Sequence, residues 1–397
     1  MLFPSHFMPI GVRSVAPHQA DQGPPGNPTF TGSDGRALEA ARPLGCRVLS
    51  VGIREGREEQ ILVFTRNSQP TTHNPIPYLL SVPPRIVDPR ITEKRNPRTA
   101  NIDLASPLEI VDLIAAEDAR VPEAVRSQRE PIARAIEEAE ATFRRGGRLF
   151  YVGAGTSGRL GVLDASEMPP TYGTDPEMVQ GIIAGGYKAL TRSQEGAEDR
   201  LESAVEDLTA QGVRAGDFVI GIAASGTTPY VRRALAHARD IGARTALVAC
   251  SPPPNEALAV VDILILPITG PEVVTGSTRM KAGTATKLVL NTITTGAMIR
   301  LGKTYGNLMV DLRATNKKLE DRSERIIAEV CDLSREEARA VLERAGGTVK
   351  TAIAMHFLDT TRAEAEQALA KTGGVIRRAI GREPPPVRDE PMTRTSQ

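Results

Sequence analysis

The chain has 397 residues and a mass of 42.6 kDa, more than one ordinary domain of roughly 100–200 residues requires. Hydrophobic residues make up 40% of the sequence, which is enough for a buried core and excludes a wholly disordered chain. Lysine and arginine total 49 against 48 aspartates and glutamates, so the net charge of +1 leaves no basic excess for nucleic-acid binding. No run of about 18 apolar residues occurs, and no membrane-spanning helix is expected.

Cysteine and histidine are too few and too scattered to predict a disulfide framework or a metal site. The cysteines are Cys46, Cys250 and Cys331, and the five histidines share no spacing typical of metal ligands. An odd number of widely separated cysteines is typical of a reducing compartment. We therefore expect a cytoplasmic protein without a His/Cys metal site.

The two ends of the chain differ in composition from the middle. Residues 1–91 are rich in proline and arginine and contain no lysine, which predicts a poorly ordered extension. Within it, 46–51 and 60–64 have the composition of short strands. Residues 383–397 contain four prolines and are predicted to form a disordered tail.

Regular secondary structure is predicted from Ser106 onward. The sequence SPLE (106–109) has the serine, proline and glutamate positions of a capping box, so it predicts a helix start. The apolar contacts of this helix are expected from Leu108, Val111, Leu113 and Ile114. A second helix is predicted over 123–145, ending at a Gly-Gly pair, and the apolar run 148–153 predicts a buried parallel strand.

Two strand–loop–helix units, 148–167 and 217–235, repeat the same chemistry. In each, a β-rich run leads into small residues and a Ser/Thr-Gly turn that opens a helix. Glycines let the backbone approach a ligand closely, and a helix N-terminus presents free N–H groups to an anion. The two units therefore predict a site for one compact phosphate, with hydroxyl donors at Thr156, Ser157, Ser225, Thr227 and Thr228.

Nucleotide binding is disfavoured. The run GAGTSG fits the GxGxxG pattern, but the acidic residues that follow, Asp175 and Glu177, precede the next apolar run instead of ending it. The sequence also lacks the GxxxxGK[ST] pattern of a P-loop.

The remaining elements predict the fold class. Strands at 244–250 and 262–268 alternate with helices at 228–241 and 279–300, which predicts an α/β fold with a parallel sheet and helices on both faces. A third loop-to-helix junction contains Ser277, Arg279 and Lys281. It could hold an anion of the substrate, or it could be an ordinary charged helix start.

The sequence after Asp332 predicts short amphipathic helices separated by Gly-Gly pairs. This pattern is typical of a small helical bundle. Its expected apolar face consists of Leu333, Val341, Leu342, Ile353 and Leu369.

Six colinear motifs together resemble one family. They are TEKRNPRTANID (92–103), GAGTSGRLGVLDASEMPPTYG (153–173), EGAED (195–199), GIAASGTTPYV (221–231), VVTGSTRMKAGTATK (273–287) and GNLMVDLRATNKKL (306–319). This set resembles the N-acetylmuramic acid 6-phosphate etherases, which have the sugar-isomerase (SIS) fold and are related to the glucokinase regulatory protein. The resemblance covers 92–382 and implies a SIS domain over 92–330 with a helical subdomain over 331–382.

The resemblance also implies an activity. The family reaction is that of a carbon–oxygen lyase, which removes the D-lactyl ether from N-acetylmuramic acid 6-phosphate by elimination and water addition, in amino-sugar and peptidoglycan recycling. It implies no metal or organic cofactor, a small-molecule sugar phosphate as partner, and a homodimer with the site at the subunit contact. The expected substrate-binding residues are Thr156, Ser157, Ser225, Gly226, Thr227, Ser277 and Lys281.

Two glutamates match the catalytic positions of the family. Glu167 would donate a proton to the ether oxygen and Glu198 would be the second acid/base, with Asp164 and Asp199 as the nearest competitors. Burial can raise the pKa of a catalytic glutamate to about 6–7. We expect Glu167 to end a short helix in apolar surroundings, because Met168-Pro169-Pro170 follows it. The alternative function is a non-catalytic sugar-phosphate-binding regulator of the glucokinase regulatory type.

Overall fold

A computed structural model describes residues 47–48, 63–64, 88–312 and 317–387. It divides the chain into two compact units, Met1–Ile86 and Val87–Gln397. In the first unit, β1 (Arg47–Val48) pairs antiparallel with β2 (Val63–Phe64), within the two segments predicted as strands. The other predictions for the extension up to residue 87, and for the tail from residue 388, lie outside the described residues.

The second unit contains a parallel sheet of five strands, as the sequence predicts. Their order is β4-β3-β5-β6-β7, and every neighbouring pair is parallel. Their bounds are β3 (Leu149–Gly153), β4 (Val179–Ile183), β5 (Phe218–Ile222), β6 (Arg244–Val248) and β7 (Ile263–Ile265).

Nine α-helices of residues 88–312 precede the strands of this sheet, alternate with them or follow them. They are α1 (Pro107–Asp118), α2 (Val121–Arg126), α3 (Arg129–Arg144), α4 (Gly155–Tyr172), α5 (Lys188–Thr191), α6 (Leu201–Ala210), α7 (Pro229–Asp240), α8 (Asn255–Leu258) and α9 (Lys281–Arg300). Alternate strand residues pack on opposite sides. Tyr151 and Ile220 pack in one core with α3, α4 and α9, and Phe150 and Val219 pack in the other with α6 and α7.

Two predictions about the first helices are wrong in detail. Ser106 and Glu109 form the predicted capping box, but Leu108 and Val111 are 71% and 60% exposed instead of packed. The helix predicted over 123–145 is divided between α2 and α3. The division places Pro131 in a first turn, where its missing N–H costs no hydrogen bond.

The helical subdomain has a core of its own. It consists of α10 (Lys317–Cys331), α11 (Arg335–Arg344), α12 (Val349–Leu358), α13 (Arg362–Lys371) and α14 (Ile376–Ile380), preceded by a hairpin of β8 (Thr304–Tyr305) and β9 (Leu308–Met309). The predicted apolar residues lie in this core, with Leu333 only partly buried. The same core includes Tyr305 and, from α10, Ile326, Ile327 and Val330, all of which precede residue 331. Within the described residues, no helix is both long and apolar enough to cross a membrane.

Candidate active site

The strand order of the sheet changes direction between β3 and β5, which makes this position a topological switch point. β3 leads through α4 to β4 on one side, whereas β5 lies on the other side, with Gly153 paired to Ile222. Ligands of open parallel sheets bind at such a switch point, beyond the carboxyl ends of the strands. The two predicted phosphate loops both begin here.

The loop after β3 depends on glycine for its close backbone approach. A Cβ atom on Gly153 would lie 2.6 Å from the Gly158 nitrogen, and one on Gly158 would lie 2.7 Å from the Gly153 carbonyl oxygen. This contact places Thr156 and Ser157 in the first turn of α4, where both are half-buried. N–H groups in a first helical turn have no intrahelical acceptor, so they can bind an anion.

The loop after β5 holds its hydroxyl groups together. The Ser225 and Thr227 hydroxyl oxygens are 2.9 Å apart, and the Thr227 N–H donates to the Ser225 hydroxyl over 3.2 Å. Gly226 between them has φ of +73°, and a Cβ there would lie 2.9 Å from the Ser251 carbonyl oxygen. Glycine is therefore required for the shape of this loop.

The third junction lies beside the first loop but does not present a free helix terminus. A Cβ on Gly283, in the first turn of α9, would lie 3.8 Å from the Thr156 methyl group. The N–H groups of Lys281 and Ala282 donate to the carboxylate of Glu272 over 3.0 and 2.9 Å. Burial raises the pKa of Glu272 although these two bonds favour its charged form.

The assignment of Lys281 to substrate binding conflicts with its placement. Its side chain is fully buried, and its ammonium group donates to Glu117 over 2.6 Å and to the Thr269 carbonyl oxygen over 3.0 Å. Glu117 also accepts hydrogen bonds from Arg98, which lower the pKa of Glu117 to about 2 together with Lys281. Lys281 therefore anchors α9 to α1. Of the other predicted residues at this junction, Ser277 is half-buried and Arg279 is exposed.

The motif at 92–103 contributes to this edge of the sheet, although sequence reasoning gave it no role there. The Ile91 N–H donates to the Ser251 hydroxyl over 2.9 Å, and the Gly276 N–H donates to the Thr92 carbonyl over 3.2 Å. Glu93 places a carboxylate oxygen 3.3 Å from where a Gly276 Cβ would lie. The sequence did contain one signal for such a role, which is the motif itself. The motif has neither the alternation of a strand nor the periodicity of a helix, so packing of a regular element does not account for it.

Glu167 lies within α4 and not at its end, so the predicted helix stop is wrong. The helix continues through Pro169 and Pro170 to Tyr172, and it ends at Gly173, whose φ is +61°. Met168 and Tyr172 are buried in the core on this side of the sheet, which favours continuing the helix for one more turn. Pro169 and Pro170 each lack the N–H that would donate to the carbonyl group four residues earlier, so the burial of Met168 and Tyr172 has to offset that loss.

Glu167 lines a cavity of about 250 Å³ between α4 and α9. The other lining residues are Leu160, Leu163, Asp164, Lys287, Leu290 and Asn291. Glu167 itself is exposed, so the single chain lacks the apolar enclosure expected around it. Asp164 is different, because it is buried and accepts hydrogen bonds from Tyr151, Asn291 and Thr294. Burial raises the pKa of Asp164, and its three donors give it a structural role.

Glu198 lies in a short 3-10 helix, Ala197–Asp199, between α5 and α6. It is exposed, as is Asp199, and it does not line the cavity beside Glu167. In a single chain, Glu198 therefore does not join Glu167 in this cavity. In the described ranges, no three His, Cys, Asp or Glu side chains are grouped as metal ligands would be.

Comparison with known proteins gives the family. The model of the glucokinase regulatory protein N-terminal SIS domain matches residues 131–239. The chain is 57% identical to an N-acetylmuramic acid 6-phosphate etherase of Gloeobacter violaceus, over 67% of this chain and 87% of that protein. The chain belongs to the N-acetylmuramic acid 6-phosphate etherase family. The resemblance inferred from the six motifs is thereby confirmed.

Other members of the etherase family match to a similar extent. The etherase of Rhodopirellula baltica is 56% identical over 67% of this chain and 87% of its own length, and that of Salinibacter ruber is 56% identical over 68% and 86%. A phosphoheptose isomerase structure from Neisseria gonorrhoeae superposes with a TM-score of 0.37 and 19% identity, over 48% of this chain and 98% of that one. The family model and the parallel sheet confirm the predicted SIS-type fold. The regulator alternative is not favoured, since these relatives are etherases.

Proposed function

We propose that this chain cleaves the D-lactyl ether of N-acetylmuramic acid 6-phosphate to N-acetylglucosamine 6-phosphate and D-lactate. The observation that carries the proposal is the identity of 57% to an etherase over 87% of that etherase's length. The reaction serves amino-sugar catabolism and peptidoglycan recycling. We place it in the cytoplasm, since the two described cysteines, Cys250 and Cys331, are free thiols, as a reducing compartment would keep them.

The two hydroxyl loops would hold the phosphate group. Thr156 and Ser157 lie in the first turn of α4, and Ser225, Gly226 and Thr227 form the compact loop before α7. Both loops start at neighbouring strands of the switch point, so they can bind one anion between them. Ser277 lies at the junction beside them and stays in the proposed set, whereas Lys281 does not.

The chemistry requires two proton transfers that carboxyl groups can perform. In the open-chain aldehyde, a base removes the proton from carbon 2, the bond from carbon 3 to the ether oxygen breaks, and an acid protonates that oxygen as lactate leaves. Water then adds to the double bond at carbon 3, and carbon 2 regains a proton. We assign protonation of the ether oxygen to Glu167 and the second acid/base role to Glu198.

The separation within α4 supports a site shared by two subunits. Glu167 lies eleven positions after Thr156 in this helix, which is about 16 Å at 1.5 Å per residue. Six bonds connect the phosphorus of the substrate to its ether oxygen, and at tetrahedral bond angles they span roughly 7.5 Å when fully extended. The anion would lie beyond the N-terminus of α4, which adds to the distance between the phosphate and Glu167. This addition offsets the length of the glutamate side chain, which shortens the same distance. This difference in length supports a site in which one chain holds the phosphate and the other chain supplies the glutamate.

We infer a homodimer in which the phosphate loops of one subunit face Glu167 of the other. Exposed apolar side chains on the surface fit this arrangement, because a subunit contact would bury them. Leu163, beside Glu167, is 49% exposed, and Leu108 and Val111 of α1 are exposed as well. Enclosure by the second subunit would also give Glu167 the apolar surroundings that it lacks in one chain.

The direct test is incubation of the purified full chain with N-acetylmuramic acid 6-phosphate. We expect D-lactate and N-acetylglucosamine 6-phosphate in equal amounts, measured by a D-lactate dehydrogenase assay and by chromatography. N-acetylmuramic acid without the phosphate is the matched control and should react far more slowly. If neither product forms from the phosphorylated substrate, the proposal is wrong.

A further inference from the structure

The cavity beside Glu167 contains a second charged group that the proposed mechanism does not use. Lys287 extends from α9 and lines the cavity together with Glu167 of α4. Across the described residues, no carboxylate lies within 4.0 Å of its ammonium nitrogen. Asp164, in the same cavity wall, interacts electrostatically with Lys287 but already accepts hydrogen bonds from three other side chains. Among the described residues, Lys287 therefore forms no close ion pair, and its ammonium group can take a carboxylate of a ligand.

The packing of the two helices fixes Lys287 on the same side as Glu167. Gly283 lies against Thr156, and Asn291 donates to Asp164, so α4 and α9 run parallel with a constant register. Lys287 is one helical turn before Asn291, and residues four apart share a helix face. The register thus places Lys287 on the cavity side of α9, nearer to the phosphate-loop end than Glu167.

The size and lining of the cavity fit a small part of a ligand. Its volume of about 250 Å³ is below the roughly 300–1,000 Å³ of sites that enclose a whole small molecule. Three leucines, Leu160, Leu163 and Leu290, supply an apolar wall, and Lys287 and Glu167 supply one cation and one carboxyl group. The cavity can therefore take a fragment with one methyl group, one negative charge and one oxygen that accepts a proton.

We propose that Lys287 binds the carboxylate of the lactyl group and so makes the site specific for a lactyl ether. This inference rests on the proposed etherase function. A lactyl ether has one methyl group, one carboxylate and one ether oxygen, which match the leucine wall, Lys287 and Glu167 in turn. An ammonium group and a carboxylate form a charge-assisted hydrogen bond that a neutral amide in the same place cannot replace. Lys287 is thus a specificity-determining residue that contacts the leaving group.

The test compares two substrates that differ in charge alone at this position. They are N-acetylmuramic acid 6-phosphate and its lactamide, in which a neutral carboxamide replaces the carboxylate. N-acetylglucosamine 6-phosphate is the product of both, so one assay gives kcat/KM for each. We expect the wild type to prefer the acid at least tenfold, as loss of one hydrogen bond to a charged group implies. In Lys287→Gln, we expect kcat/KM for the acid to fall and kcat/KM for the lactamide to stay unchanged, so that the preference for the acid is lost.

Two further variants control the comparison. Lys287→Arg keeps the positive charge and should keep a preference for the acid. Lys318→Gln, at an exposed lysine of α10 outside the cavity, should behave as the wild type. An active wild type whose preference is retained in Lys287→Gln would overturn this inference and leave the etherase function intact. A wild type that forms no product from either substrate would overturn both.

Discussion

Asn291 donates a hydrogen bond of 2.6 Å to Asp164, joining α9 to α4 one helical turn before Glu167. Asp164 also accepts from Tyr151 of β3 over 2.9 Å, so the segment that carries Glu167 is fixed to the sheet as well as to the neighbouring helix. A buried carboxylate with three donors is costly to disturb, because loss of one partner leaves polar groups unpaired. The candidate acid is therefore held on a rigid element.

Glu167→Gln should reduce D-lactate release by about 10²–10⁴-fold, since the amide keeps the shape but cannot act as an acid. Affinity for the substrate should change little, because the phosphate loops are untouched.

Glu198→Gln should also slow turnover, and it is expected to affect exchange of solvent hydrogen into carbon 2 differently from lactate release. The matched control is Glu206→Gln, at an exposed glutamate of α6. Full activity of Glu167→Gln would remove the central catalytic assignment.

Ser225→Ala and Ser157→Ala should mainly weaken binding, by about 1.5–3 kcal/mol for each lost hydrogen bond to the charged phosphate. Ser225→Ala should have the larger effect, because its hydroxyl also accepts the Thr227 N–H and so fixes the loop. Calorimetry with N-acetylglucosamine 6-phosphate measures the affinity without turnover. Ser127→Ala, at an exposed serine between α2 and α3, is the control. Unchanged affinity in both loop variants would contradict the phosphate assignment.

A mixed dimer tests whether the site is shared. Ser225→Glu should abolish phosphate binding by charge repulsion, and Glu167→Gln should abolish protonation of the leaving group. Coexpression with two affinity tags yields a dimer with one variant in each subunit. If phosphate loops and Glu167 come from different chains, one of its two sites is intact and activity returns. A purified mixed dimer as inactive as its parents, or a fully active monomer at micromolar concentration, would refute the shared site.

Glu117→Gln should destabilise the fold at neutral pH by about 3 kcal/mol, since it leaves the buried Lys281 without its carboxylate. The folded-state pKa of Glu117 is lowered from 4.5 to about 2, so its contribution is present above pH 4.5 and is lost as the pH falls toward 2. Urea unfolding from pH 7 to pH 3 should show the difference between the two proteins shrinking in that window. Glu320→Gln, at an exposed position on α10, should have no such effect. A difference that does not depend on pH would contradict this account.

Local patterns in the sequence were sufficient for the fold class, the two hydroxyl loops and the family. A capping box, a glycine turn and an apolar strand are each defined by a few consecutive residues, so Ser106, Gly226 and Leu149–Gly153 lie where the sequence predicts them. Helix ends that depend on distant packing were predicted less well. The burial of Met168 and Tyr172 extends α4 past two prolines, and no local rule includes that contribution.

The roles of the charged residues were decided by the tertiary structure. Lys281 and Lys287 lie six positions apart in one motif, and the sequence alone favoured Lys281 as the anion ligand. Folding buries Lys281 against Glu117 and leaves Lys287 exposed at the cavity beside Glu167. The physical reason is that the group that pairs with a charged side chain can be far away in the sequence. Glu117 and Lys281 are 164 residues apart, and they meet only because α1 and α9 pack together.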